Sequence, residues 1–422
     1  MLNELRARGL TLGCTDYEHL EELLREPITF YLGFDPTASS LHLGNLVPMA
    51  LARRLMDKGH RCIALIGSFT AMIGDPSGKS HDRPILPDKA IFCNAELLEG
   101  QIKHLLPGVE IVDNLGWYHE RPMRDFIRDI GRHIPINYML DKESVKRRLD
   151  SGISFNEFSY MLLQAYDFVH LAQRDGCQLQ IGGSDQWGNI TTGIELGRRM
   201  GVATPMLGLT TPLLVDRAGE KIGKTSAGSK LWLNKNLTGP FALYQYLVNL
   251  SDQDATVLWP MFSNKDYSFT EQLLAAHQNF PGARLAQLHL SEAVVDWVHG
   301  HEASEAVINA SDVLFGNKSD QDELDMFNVN DSQFDVIFDS VPNQCIQRDF
   351  LKKGVSVLDM FFVPGLGNSH NEIRRLAKQG ALYVNNIRIN DYKRLLHEGD
   401  LLTQSYMILR VGKKNYNLVK AI

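Results

Sequence analysis

The chain has 422 residues, 44% of them apolar and 22% charged, which is too long for one ordinary core and suits roughly two to four domains. No apolar run is long enough to span a bilayer, Glu4, Asp16 and Glu18 argue against a presequence, and the scattered Cys14, Cys62, Cys93, Cys177 and Cys345 offer neither a disulfide framework nor a zinc spacing; a cytoplasmic chain with reduced thiols and no membrane contact is expected. The net charge of −7 hides an asymmetry: residues 345–422 hold 13 Lys plus Arg against 6 Asp plus Glu, a net of +7 that leaves −14 on the remainder, and such a basic module fits either a solvated face or a nucleic-acid surface.

In chain order, the first expected strand covers residues 28–34, rich in strand formers and ended by Asp35-Pro36. A polar loop leads to a helix in which Leu43, Leu46, Val47, Ala50, Leu51 and Leu55 recur at helical spacing until Lys58-Gly59. Residues 62–67, 109–112, 179–182 and 212–215 can supply further strands, and their alternation with helices implies an α/β fold with a mostly parallel sheet of the Rossmann type. A helix over residues 154–167 starts at a Ser154/Glu157 capping-box pattern. Beyond residue 239 the pattern turns to amphipathic helices over 244–250, 268–277 and 284–299. Residues 318–339 carry Asp320, Asp322, Glu323, Asp325, Asp331, Asp335 and Asp339 without periodicity, as an exposed connector would. A helix over 372–379, a Gly380 stop and strands over 381–386 and 401–410 form a small α/β module. The expected division is a Rossmann-type domain over 1–238, an α-helical domain over 239–317, an acidic linker over 318–344 and the basic module over 345–422.

Five constellations carry chemistry. His42-Leu43-Gly44-Asn45 lies where the first strand hands over to its helix; Gly44 lets a phosphate approach the backbone, and His42 and Asn45 can donate to it, although alone the pattern more often marks a helix N-cap or a packing histidine. Lys221-Ile-Gly-Lys224-Thr225 puts two lysines in a glycine-flanked loop able to swing onto phosphates, or merely an exposed basic turn. Gly74-Asp-Pro-Ser-Gly-Lys79-Ser80 has the wrong spacing for a Walker loop, since the required position is Ile73, yet Lys79 and Arg83 are a second pair of cations able to close over pyrophosphate. On the 154–167 helix Tyr160, Gln164 and Asp167 fall at i, i+4 and i+7, so a phenol, an amide and a carboxylate share one face that its apolar neighbours point towards burial. Residues 180–189, with Gly182-Gly183-Ser184-Asp185-Gln186, end a strand in paired glycines; Asp185 can accept from ribose hydroxyls and Gln186 can reach a substrate carboxylate.

H-x-G-N near the start paired with K-x-G-K-T later resembles the two signatures of class I aminoacyl-tRNA synthetases, with Asn45 where the family usually has histidine. Together with residues 31–37, 74–78, 159–167 and 182–189, nearly the whole chain resembles the bacterial-type tyrosyl-tRNA synthetases. The resemblance implies a tyrosine–tRNA ligase using ATP with Mg2+ as co-substrate, no protein-bound metal, and a homodimer across whose two subunits transfer RNA lies. It implies that Tyr31 and Asp167 hold the tyrosine hydroxyl and that Asp75, Tyr160 and Gln164 hold its ammonium group, with Gln186 nearby. Thr37, His42 and Asn45 would meet the leaving phosphates, with Lys79, Arg83, Lys221, Lys224 and Thr225 as mobile partners. Gly33, Asp35, Gly44, Gly183, Asp185 and Lys224 would line ATP. Leu32 stands where the family often has a cysteine that offers a thiol to ribose, so that contact is missing or replaced. The helical domain resembles an anticodon-binding one, and the basic module resembles the RNA-binding domain shared with a small-subunit ribosomal protein. Two rivals stand beside this reading: a tryptophanyl-tRNA synthetase of the same architecture, and a synthetase-derived RNA-binding or splicing protein with an idle site.

Overall fold

The strand over residues 28–34 lies at the centre of a six-stranded sheet, apolar on both faces as a parallel strand covered on both sides must be. The computed structural model describes the chain apart from residues 78–85, 143–144, 147–151, 216–221, 224–229, 316–329, 339–340 and 413–414. Strands β1 (Gly13–Cys14), β2 (Thr29–Phe34), β3 (Arg61–Ile66), β4 (Glu110–Asp113), β5 (Cys177–Gly183) and β6 (Leu207–Thr211) take the order β1-β6-β5-β2-β3-β4. All neighbouring pairs are parallel except β1 against β6. The order reverses between β2 and β5, which opens a crevice at their carboxyl ends where ligands of such sheets bind.

The edge beyond β5 differs from the expected strand at 212–215. The strand is Leu207–Thr211; Pro212 has no N–H to give a ladder, and Leu213 and Val215 are exposed. Gly208 masked this strand in the sequence, yet a Cβ there would lie 2.3 Å from Ile190 Cγ2, so glycine is what lets the helix after β5 pack down.

Helix α1 (Leu46–Met56) follows β2, α2 (Ser68–Ile73) follows β3, and α3 (Phe155–Asp175) and α4 (Trp187–Met200) flank β5. The Ser154 hydroxyl accepts from the Glu157 N–H at the start of α3, and Gly176 ends it at φ 62°, the left-handed cap expected of glycine. Helices Asp252–Phe262 and Tyr267–Asn279 belong to the same compact unit, residues 1–234 with 251–286. The buried Arg8 guanidinium donates to the carbonyls of Pro260 and Lys265.

The second unit comprises residues 235–250 and 287–422. It holds helices Pro240–Val248, His301–Phe315 and Asp331–Ile337, and a five-stranded sheet ordered Ile387–Ile389, Leu382–Val384, Tyr406–Val411, Asn415–Ala421, Asn343–Ile346. Helix His370–Lys378 packs on that sheet through Ile373 and Ala377. Two local expectations change here. The strand read as 381–386 stops at Val384 because Asn385 and Asn386, at φ 48° and 62°, make a tight hairpin turn. The acidic stretch is helical at Asp331–Ile337: Phe334 is buried against the Tyr406 ring at 5.2 Å, while Asp335 accepts from Lys420 Nζ at 2.6 Å and from the Tyr406 hydroxyl. Its acids suggested a solvated connector, but the apolar residue between them decides the packing. Among the described residues, no helix is long and apolar enough to cross a membrane.

Candidate active site

At the floor of the crevice, the Asp167 side chain on α3 is 1% exposed. Its Oδ1 accepts from the Trp117 indole N–H at 3.0 Å and its Oδ2 from Asn114 Nδ2 at 3.1 Å. Burial pushes its pKa up to about 7, opposed by hydrogen bonds from Asn114 and Trp117 that favour the ionised form. The Trp117 ring is fixed by stacking on His170, one turn along α3, at 4.4 Å and 21°. Asn114 is itself anchored: its Oδ1 accepts from the Phe69 N–H, and its Nδ2 also lies 3.0 Å from Thr70 Oγ1. Beside this carboxylate stands Tyr31 of β2, packed 5.3 Å from the Phe168 ring. Its hydroxyl is buried without a hydrogen-bond partner among the described residues, and burial, then the Asp167 charge, raises its pKa well above 10. The two set a carboxylate acceptor beside a neutral phenol donor.

Higher in the crevice a second polar chain runs across the switch point. The Tyr160 hydroxyl donates to Asp35 Oδ2 at 2.9 Å, and the Thr70 hydroxyl donates to Asp35 Oδ1 at 2.8 Å. Gln186 Nε2 donates to Asp75 Oδ2 at 2.8 Å, while the Ser77 N–H holds Asp75 Oδ1 at 2.9 Å. Asn189 Nδ2 lies 2.8 Å from Gln164 Oε1 and 3.0 Å from Gln186 Oε1. Tyr160 thus engages Asp35, Gln164 meets Asn189 and Gln186 engages Asp75, while Asp167 is held by Asn114 and Trp117. Burial and then the charges of Asp35 and Asp75 raise the Tyr160 pKa well above 10, so this part of the cleft is electronegative.

The paired glycines before Asp185 have local reasons as well as room for a ligand. A Cβ at Gly182 would lie 3.0 Å from Gln186 Cβ, and one at Gly183 would lie 2.7 Å from Asp185 Oδ1. Gly33 is exposed and Leu32 is buried in β2. In the H-x-G-N turn, Asn45 Oδ1 accepts from the His42 N–H at 3.0 Å and the His42 ring accepts from the Asn45 N–H, a reciprocal cap of the short 3-10 turn Leu43–Asn45. Asn45 thus holds the turn in shape by its oxygen, and a Cβ at Gly44 would come 3.1 Å from the His42 ring.

The two distant signatures are stitched together by backbone. Leu43 N–H donates to Leu231 O, Leu231 N–H to Gly223 O, and Leu233 N–H to Leu41 O. Residues 41–43 and 231–233 thereby form one short antiparallel pairing, with His42 opposite Trp232. Lys79, Arg83, Lys221, Lys224 and Thr225 lie outside the described residues; Gly223, between the two lysines, takes φ 101°, a conformation for which glycine is suited. Thr37 follows the Asp35-Pro36 turn, its N–H donating to Asp35 O at 2.8 Å.

Sequence reasoning missed Asn114, Trp117, Thr70 and Asn189, and also Gly67. A Cβ at Gly67 would come 2.1 Å from Asp35 Oδ1 and 2.4 Å from Thr70 Oγ1, both members of the chain that reaches Asp167 through Asn114. Gly67→Ala should therefore displace Asp35 and Thr70, with a stability loss of about 1–3 kcal/mol from overpacking and a larger loss of activity. Thermal unfolding and single-turnover rates check this; an unchanged activity would mean that the network is not part of the site.

Residues 23–316 match the family model described as tRNA synthetases class I (W and Y), and residues 333–419 match that of the tyrosine–tRNA ligase SYY-like C-terminal domain. The chain belongs to the class I tRNA synthetases. It is 39% identical to the tyrosine–tRNA ligase of Rhodopirellula baltica over 100% of this chain and 96% of that one. Identity is 40% to the tyrosine–tRNA ligase of Bacteroides thetaiotaomicron, over 100% and 99%. Among solved structures, the C-terminally truncated mitochondrial tyrosyl-tRNA synthetase of Coccidioides posadasii superposes with a TM-score of 0.64 at 29% identity, covering 73% of this chain and 91% of that one. The tryptophanyl-tRNA synthetase of Encephalitozoon cuniculi, at 15% identity and a TM-score of 0.53 over 71% and 86%, shares the fold.

Proposed function

We infer that this chain is a tyrosine–tRNA ligase: it activates L-tyrosine with ATP to tyrosyl-adenylate and passes the tyrosyl group to the 3′ end of tRNA(Tyr). The observation that carries the reading is the buried Asp167 carboxylate, braced by Asn114 and Trp117, beside the unpartnered Tyr31 hydroxyl. A phenol can donate to one and accept from the other. An indole N–H can only donate and would leave Tyr31 unpaired, so tryptophan fits less well. Exchange of pyrophosphate into ATP should depend on tyrosine and not on tryptophan; exchange with tryptophan, or with neither, would overturn the assignment.

In the first step the tyrosine carboxylate attacks the α-phosphorus and the bond to pyrophosphate breaks; in the second a terminal ribose hydroxyl attacks the activated carbonyl and adenylate leaves. No side chain becomes covalently attached. Asp75, Tyr160 and Gln164 orient the ammonium group, and the electronegative cleft made by Asp35 and Asp75 supports this. Gly33, Asp35, Gly44 and Gly183 border ATP, with Asp185 at its ribose. Thr37, His42 and Asn45, with Lys79, Arg83, Lys221, Lys224 and Thr225, offset charge on the leaving phosphates. Mg2+ arrives with ATP and neutralises part of the phosphate charge. A cation held chiefly by phosphates and water asks for few protein ligands.

The raised pKa of Asp167 gives a pH test. Between the ordinary value of 3.8 and about 7 the folded carboxyl keeps a proton that the unfolded one releases, so its contribution to stability is full below 3.8 and is lost as pH rises through 7. Tyrosine recognition runs the other way, because the ionised form accepts the phenol. The kcat/KM for tyrosine should rise roughly tenfold from pH 6 to 8, and Asp167→Asn should flatten the profile; a parent profile already flat would contradict it.

The module over 345–422 binds transfer RNA through its net charge of +7, and the helices within 239–317 serve the anticodon end. The site of action is the cytoplasm, where five free cysteines suit a reducing medium. The chain acts as a homodimer. Met123, Ile127, Ile136 and Phe155 of the first unit are largely exposed, Phe155 by 83%, and apolar surface of this kind is normally covered. Sedimentation should give a dimer for the parent and a monomer for Phe155→Asp; a parent that stays monomeric at micromolar concentration would sink the idea.

A further inference from the structure

We propose that the exposed ring of Phe362, continued by His370, Arg374 and Tyr392, is a stacking platform for an unpaired base of transfer RNA. The C-terminal module would then read single-stranded nucleotides as well as backbone charge. The inference rests on the ligase reading above, because that reading supplies the RNA.

Phe361 and Phe362 close the turn after helix Val357–Met360 and go opposite ways. Phe361 is fully buried in the module's core, whereas Phe362 is 54% exposed. One exposed aromatic is unremarkable by itself. Phe362 differs because further flat, polarisable groups extend from it across the surface. Its ring meets the His370 ring edge-on, with centroids 5.4 Å apart at 78°. His370 opens helix His370–Lys378 and Arg374 lies one turn further on the same face. The Arg374 guanidinium in turn lies 6.0 Å from the Tyr392 ring centroid. Phenyl, imidazole and guanidinium thus succeed one another on the surface and end at the half-buried phenol of Tyr392, with Arg375 and Lys378 exposed on the same helix.

The neighbouring carboxylates are engaged locally. Asp359 accepts from the Ser356 hydroxyl at 2.6 Å and lies 3.3 Å from His370 Nε2, and Glu372 accepts from the Asn368 N–H at 2.9 Å. The surface is therefore π-rich and carries cations, with the Phe362 ring as its exposed face. Duplex RNA hides its base faces and offers phosphates and 2′-hydroxyls, for which a phenyl ring has little use. An unpaired base offers a face to an aromatic ring or a guanidinium plane, and its phosphates can meet the remaining cations.

The test uses the full-length protein and its transfer RNA, with binding measured over a range of salt. Phe362→Ala and Phe362→Leu should each weaken binding about tenfold with no change in the slope of log affinity against log salt. Phe362→Trp should keep the affinity, and its fluorescence should be quenched when transfer RNA binds. Arg375→Ala should weaken binding and lower the slope by about one. Normal binding by Phe362→Ala, rescue by leucine, or an unquenched tryptophan would each overturn the platform; rescue by leucine would point to plain apolar packing, as against a protein partner. Tyrosine-dependent pyrophosphate exchange should be equal in all these variants. If the parent itself lacked that exchange, the ligase reading would fail separately, whatever the RNA measurements gave.

Discussion

Replacing Asp167 by alanine should lower tyrosine-dependent pyrophosphate exchange by about two orders of magnitude, the size expected for losing a charge-assisted hydrogen bond from a buried site. The loss has two sources. The phenol of the substrate loses its acceptor, and the Trp117 N–H and Asn114 Nδ2, which both point at Asp167, lose a partner inside the protein. Tyr31→Phe removes only a neutral hydroxyl and should cost about tenfold or less. Discrimination against phenylalanine should fall in the same order, since that amino acid brings no hydroxyl to Asp167 or Tyr31 and both are buried. Exchange measured with both amino acids for each variant decides the matter. An Asp167→Ala enzyme that still preferred tyrosine as strongly as its parent would show that another side chain reads the hydroxyl.

Much of this site could be read from the sequence because it depends on local spacing. The i, i+4, i+7 stripe of Tyr160, Gln164 and Asp167 follows from helical geometry once Ser154 fixes the start of α3. The central strand was plain because its residues are apolar on both faces. Asn114, Trp117 and Thr70 were not legible: they sit just after β4 and β3, at the start of or within helices too short to show a period, and reach Asp167 only because the parallel register sets the ends of these strands side by side. The pairing of Tyr160 with Asp35 is of the same kind, since 125 positions separate the partners. Gly67 read only as the end of the strand over 62–67 and Gly208 drew no reading, and only the packed neighbours explain them. The helix at Asp331–Ile337 was hidden by its own charges, whose partners Ser405, Tyr406 and Lys420 come some 70 to 85 positions later.

Lys221→Ala and Lys224→Ala should each slow adenylate formation in a single turnover by about a hundredfold or more, while the dissociation constant for tyrosine stays within about twofold. Both lysines flank the Ile222-Gly223 backbone, and that backbone is tied to the H-x-G-N turn through Leu231: Gly223 O accepts from Leu231 N–H, and Leu43 N–H donates to Leu231 O. The lysine loop therefore departs from a fixed point next to the turn proposed to meet the phosphates of ATP. On the reading proposed above, the two lysines would act most when negative charge builds on the departing pyrophosphate, and little when tyrosine alone is bound. A group that acts only in the transition state lowers kcat and kcat/KM together and leaves ground-state affinity alone. His42, held by its reciprocal cap with Asn45, gives a control: His42→Ala should slow the same step and also raise the KM for ATP, since its turn is proposed to meet the nucleotide before reaction. If tyrosine affinity fell in the lysine variants as far as the rate did, the loop would be shaping the amino-acid pocket, and the division of labour between the two ends of the crevice would be wrong.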